Sequence, residues 1–152
     1  NYNKNYKKEG NKKIMVVDSL SGCAMFISSK IFDELKGFNP NLFWMEDIDL
    51  CYRAQKLGYN NYYFPETKII HYQGKSAEKN CEIVIKNQLL SKIKFFIIHF
   101  SNKEALILKI FIIIISIIKI LAFIFILPFN YNKYHQKLSG YSITVRSILF
   151  NN

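Results

Sequence analysis

Short apolar runs punctuated by Gly, Ser and Pro fill the first half of this chain, and long apolar stretches fill the second. Residues 14–17 and 24–27 read as short buried strands joined by a tight link over 19–22, in which Gly22 lets backbone approach a neighbour closely. Ser28 and Ser29 are N-cap candidates for a helix over 30–35, and Gly37 is placed to end it in the left-handed conformation. A second helix is expected over 46–57, because Ile48, Cys51, Ala54 and Leu57 fall on one face and Gly58 supplies the stop. Its acidic residues sit in the first turn. Residues 62–64 and 68–72 read as two more strands, broken by Pro65 and closed by Gly74, with His71 late on the second. From 77 to 100 the spacing is helical, and from 105 to 127 the chain is almost wholly apolar until Pro128. No segment repeats at a fixed period.

This order divides the chain into a polar lead-in over 1–13, a mixed strand and helix region over 14–100, a hydrophobic helix over 101–129 and a tail over 130–152. A bilayer core of about 30 Å needs roughly 20 helical residues, and 105–127 is long enough. Lys109 and Lys119 interrupt it, at about 2.5 to 3.5 kcal/mol each, against roughly 0.3 to 0.6 gained by each Ile, Leu or Phe. The apolar residues outweigh them, so membrane association is expected. Lys109, Ser116 and Lys119 lie within about 80° on a helical wheel, a face suited to bordering headgroups. Two placements fit: a tilted span with snorkelling lysines, or a helix lying in the interface, with Lys92, Lys94 and Lys103 on one side and Lys133 and Lys137 on the other.

The 152 residues carry 21 Lys and Arg against 11 Asp and Glu, a formal charge of +10 that favours an anionic partner. Asn, Lys, Ile and Tyr are all heavily used, so part of that excess reflects compositional bias. Cys23, Cys51 and Cys81 are odd in number and widely spaced, which argues against a disulfide framework or a zinc site and fits a reducing compartment. The lead-in alternates lysine with tyrosine, but it is short and leaves the apolar helix without a use in nucleic-acid binding, so no nucleic-acid partner is expected. The first residue is Asn1 and no apolar run precedes residue 14, so the chain is expected to begin mid-protein.

The richest chemistry lies at Glu46, Asp47 and Asp49, directly behind Phe43, Trp44 and Met45. Carboxylates in a first helical turn meet the positive end of the helix dipole, which explains them without any catalysis. The same field holds a carboxylate ionised, as a general base at neutral pH requires. His71 alone reads as a core imidazole bonded to a backbone carbonyl, because a lone imidazole needs partners before it counts as a ligand.

Taken together, Ser21, Gly22, Cys23, Ala24 and Met25, then Gly37 and Phe38, then 43–51 with Arg53, Gly58, Tyr59, Pro65 and His71 follow a recognisable order. This run resembles the second half of a bacterial family-two glycosyltransferase, closest to the rhamnosyltransferase-like enzymes of cell-surface polysaccharide synthesis. The resemblance covers about 17–76 and implies an α/β fold, a partial GT-A (nucleotide-diphospho-sugar transferase) fold lacking its N-terminal nucleotide-binding half and followed by C-terminal hydrophobic helices. It implies that Asp47 is the catalytic base of an inverting transfer, with Glu46, Asp49 and Trp44 binding the acceptor and Ser21 and Gly22 bordering the donor. His71 would be a metal ligand, with Mg or Mn as the divalent cofactor. The partners implied are a nucleotide-sugar donor, a glycan or lipid-linked acceptor, the membrane and the missing N-terminal half, at the cytoplasmic face of the bacterial cell membrane. Where the family has Gly-Gly-Phe-Asp this chain has Lys36, Gly37, Phe38 and Asn39, and no Asp-x-Asp precedes residue 47. The chain by itself is therefore expected to be incomplete as an enzyme. A membrane-anchored adaptor or truncated remnant without chemistry is the alternative.

Overall fold

The computed structural model describes residues 13–71, 80–126, 128 and 131–150. Contacts divide the chain into two units, one of Asn1–Phe38 with Asp47–His71, the other of Asn39–Glu46 with Tyr72–Asn152.

In the first unit, strand β1 (Met15–Val17) pairs antiparallel with β2 (Asn61–Tyr63), Val16 opposite Tyr62. Helix α1 (Ser29–Glu34) starts where Ser28 Oγ accepts from the Ile31 N–H at 3.3 Å, as the serine pair predicts. The Gly37 N–H bonds the Phe32 carbonyl and the Lys36 N–H bonds that of Asp33, so the left-handed turn begins one residue earlier than expected, at Lys36 (φ 58°), and continues through Gly37 (φ 67°). Helix α2 (Glu46–Lys56) begins at the expected residue and closes in the same motif, Gly58 N–H to Gln55 O and Tyr59 N–H to Ala54 O, with Gly58 at φ 87°. Leu35, Leu50 and Ala54 form the core, with Met25, Ile27, Ile31, Phe32 and Tyr59 packed around them. Leu57, expected on that face, lies past the end of the helix and is half exposed.

In the second unit, α3 (Cys81–His99), α4 (Asn102–Ile126) and α5 (Tyr131–Phe150) pack pairwise against one another. Ser101 and Glu104 form a capping box at the head of α4: the Glu104 N–H donates to Ser101 Oγ, and the Ser101 N–H to Glu104 Oε2 at 2.9 Å. Gly140 lets α5 approach α3 so closely that a Cβ there would sit 3.0 Å from Glu82 Cα. The stretch read as a tail is thus largely a 20-residue helix.

The expected α/β class is overturned. Among the described residues 64% are helical and 5% are in strands, and the sheet is one antiparallel pair, so this is not a partial GT-A fold. An α/β domain needs several strands alternating with helices, and here two of the four expected strand segments pair, as β1 and β2, while the other two do not. Residues 24–27 are irregular, with Phe26 98% exposed while Met25 and Ile27 serve the core of α1 and α2. Residues 68–71 are also irregular, with Ile70 83% exposed. Without a partner strand to accept their ladder hydrogen bonds, β-favouring residues do not make a strand. Tyr72, Gly74, residues 77–79, Leu127 and residues 1–12 of the lead-in lie outside the described residues.

Candidate functional site

The first unit brings distant motif pieces together by hydrogen bonds. The Gly22 N–H donates to Asp47 Oδ2 at 2.8 Å across 25 residues, and the Ile48 N–H donates to Asp47 Oδ1 at the same distance. Ser21 shapes the turn that presents Gly22, its carbonyl accepting from the Ala24 N–H at 3.3 Å. The neighbour that Gly22 approaches is Asp47 itself: a Cβ at Gly22 would lie 3.4 Å from Asp47 Cβ. Ser21 and Gly22 are exposed and Asp47 is half-buried, so the carboxylate stands at the edge of an open turn.

Asp49 is a different case and a correction. It is fully buried and paired with Arg53 at 2.7 Å, four residues on, so it cannot touch an acceptor. The Arg53 guanidinium also donates to the carbonyls of Leu35 and Gly37, the latter at 2.8 Å, tying the end of α1 to α2. Arg53 is thus the organising residue of the unit, and its signal in the sequence was the Asp-x-x-x-Arg spacing on one helix face. Asn61 is the second residue that sequence reasoning missed. It is buried and its Nδ2 donates to the carbonyls of Asp18 and Cys51 at 3.1 and 3.2 Å. Burial pushes the Cys51 thiol up from its ordinary pKa, opposed by a hydrogen bond from the Leu20 N–H and assisted by the negative charge of Asp47. A half-open cavity of about 400 Å³ is lined by Cys51, Asn61, Tyr59, Ser28, Phe26 and their apolar neighbours, and Ser21, Gly22 and Asp47 do not line it.

Trp44 and Glu46 belong to the Asn39–Glu46 segment of the second unit. Leu42 and Met45 are buried and anchor that segment, while Trp44 is 41% exposed with its ring 5.9 Å from that of Phe43. Trp44 has φ 69°, a left-handed backbone that costs a bulky residue on the order of 1 to 3 kcal/mol. Glu46 is half-buried, and its Oε2 is shielded without a hydrogen-bond partner. Asn39 Oδ1 accepts from the Asn41 N–H at 3.0 Å, an ordinary turn bond that an aspartate also makes.

His71 is exposed on irregular chain rather than late on a strand. Among the described residues no group of three or more His, Cys, Asp or Glu gathers to hold a metal. No protein-family model, no curated protein and no solved structure matches this chain.

Proposed function

We propose that this chain is the acceptor-side part of an inverting glycosyltransferase, moving a sugar from a nucleotide-sugar donor to a glycan or lipid-linked acceptor at the cytoplasmic face of a bacterial membrane. The observation that carries the reading is the Gly22 to Asp47 hydrogen bond, which joins the Ser-Gly turn to the acidic helix start. Two pieces of one motif, far apart in sequence, meet at an accessible carboxylate. Asp47 takes the proton of an acceptor hydroxyl as that oxygen attacks the sugar's anomeric carbon. The bond to the diphosphate breaks and the nucleotide leaves with the electron pair. The Gly22 and Ile48 N–H groups, one on each Asp47 oxygen, hold the carboxylate in a fixed orientation. No step is routed through a metal.

The non-catalytic adaptor is the second reading, favoured by one observation: both Asp47 oxygens already hold backbone, as a purely structural strut would. Asp47→Asn in the polypeptide as its cells make it separates the two. An amide keeps an oxygen for the Gly22 N–H but is no base, so transfer from a nucleotide sugar should fall at least roughly 100-fold while Cys51 stays protected from alkylation. Unchanged transfer refutes the base assignment, and a wild-type protein that consumes no nucleotide sugar in the presence of glycan and lipid-linked acceptors supports the adaptor.

A further inference from the structure

Helix α4 is packed inside out. The residues it buries are Ala105, Ile112 and Ser116, while Ile107, Ile110, Phe111, Ile114, Ile118 and Phe125 stand in solvent on the opposite face. At 100° per residue these six residues cover an arc about 100° wide. Lys109 and Ser116 fall on the inner face and Lys119 at its edge. The polar stripe therefore turns toward α3 and α5 and does not border headgroups. Lys119 Nζ donates to Tyr141 Oη on α5 at 2.8 Å and sits 4.8 Å from the centre of that ring, so the exposed charge in the middle of α4 is held away from the apolar face. Small and polar residues inward with large aliphatic residues outward is the pattern of a helix whose solvent is lipid.

The bundle also decides how α4 meets that lipid. Only Phe100 and Ser101 link α3 to α4, four residues separate α4 from α5, and the three helices are of similar length and in mutual contact. If α4 crossed a bilayer, α3 and α5 would cross with it and carry exposed Lys92, Lys94 and Arg146 into hydrocarbon. From residue 80 onward the chain has nine Lys and Arg against two Glu, which suits an anionic surface. We propose that the α3, α4 and α5 bundle lies in the plane of an anionic bilayer surface, the outer face of α4 among the acyl chains and Lys92, Lys94 and Arg146 outside the hydrocarbon, between headgroup level and water. This deepens the membrane-association reading and is independent of sugar transfer.

The test uses the full chain with mixed phosphatidylcholine and phosphatidylglycerol vesicles and single substitutions Ile114→Cys, Lys94→Cys and Arg146→Cys, labelled by a water-soluble maleimide and read peptide by peptide. Adding vesicles should slow labelling of Ile114→Cys at least about tenfold while Lys94→Cys and Arg146→Cys change less than about twofold. Protection of all three positions overturns the in-plane geometry in favour of a span. Unslowed labelling of Ile114→Cys overturns lipid contact altogether. Protection of that position without lipid, rising with protein concentration, identifies a second copy of this chain as the occupant instead. In a variant that keeps Ile114, Ile110→Glu should weaken vesicle flotation at least about tenfold, and unaltered flotation refutes the assigned face.

Discussion

Replacing Arg53 by alanine removes the one side chain that binds α1, the following turn and α2 together. Asp49 is at 0% exposure and loses the cation that lies 2.7 Å away, while the Leu35 and Gly37 carbonyls lose their guanidinium donors. Removing one member of a buried ion pair costs about 3 to 5 kcal/mol. Arg53 is itself 24% exposed, so water reaches part of the gap and the lower end applies. A loss of about 3 to 4 kcal/mol corresponds to a roughly 100- to 1000-fold increase in the open population. Cys51, 2% exposed in the same unit, reports that opening by its alkylation rate under native conditions. Arg53→Lys keeps the charge without the planar fork and should lie between wild type and alanine. Asp49→Ala combined with Arg53→Ala should be less damaging than Arg53→Ala alone, because the buried carboxylate is removed together with its cation. An acceleration below about tenfold for Arg53→Ala, or a double variant worse than the single, refutes the buried-charge argument.

Gly140→Ala gains about 1 kcal/mol of helix propensity but places a methyl 3.0 Å from Glu82 Cα and 3.1 Å from the Glu82 carbonyl oxygen. Backbone cannot rotate away, so a net loss of about 1 to 2 kcal/mol is expected, seen as faster amide exchange in α3 and α5. Lys36→Gly relieves a left-handed non-glycine at φ 58° and should stabilise the first unit by about 0.5 to 1 kcal/mol, slowing Cys51 alkylation. The raised thiol pKa of Cys51 means the folded state favours the neutral form. Its contribution is fully present below the ordinary value of 9.0 and is lost as pH rises through the higher folded value. The urea midpoint should therefore fall as pH climbs from 9.0 through the higher folded value, and Cys51→Ala should flatten this limb. In both proteins Tyr59, whose hydroxyl is held protonated by the Glu34 carboxylate, adds a separate fall at higher pH.

Local signals were legible where one residue acts on its own neighbours. Ser28 at the head of α1, the acidic start of α2, the glycine stop at Gly58 and the length of α4 all depend on contacts within a few residues, and they are found where the pattern places them. The Ser101 and Glu104 capping box was equally local and could have been read. Strands were legible over 14–17 and 62–64, which pair as β1 and β2, but not over 24–27 and 68–71, which have strand composition and no partner to close a ladder, since pairing is a property of two segments. The same limit governed the acidic cluster. Glu46, Asp47 and Asp49 are near neighbours in sequence, yet only tertiary packing put Asp49 out of solvent against Arg53 and left Asp47 to hold Gly22 at the surface. In the second unit the apolar count of α4 made a membrane-seeking helix expected. Which way its lysines face depended on α3 and α5, since a helix has no inside until another helix covers one side of it.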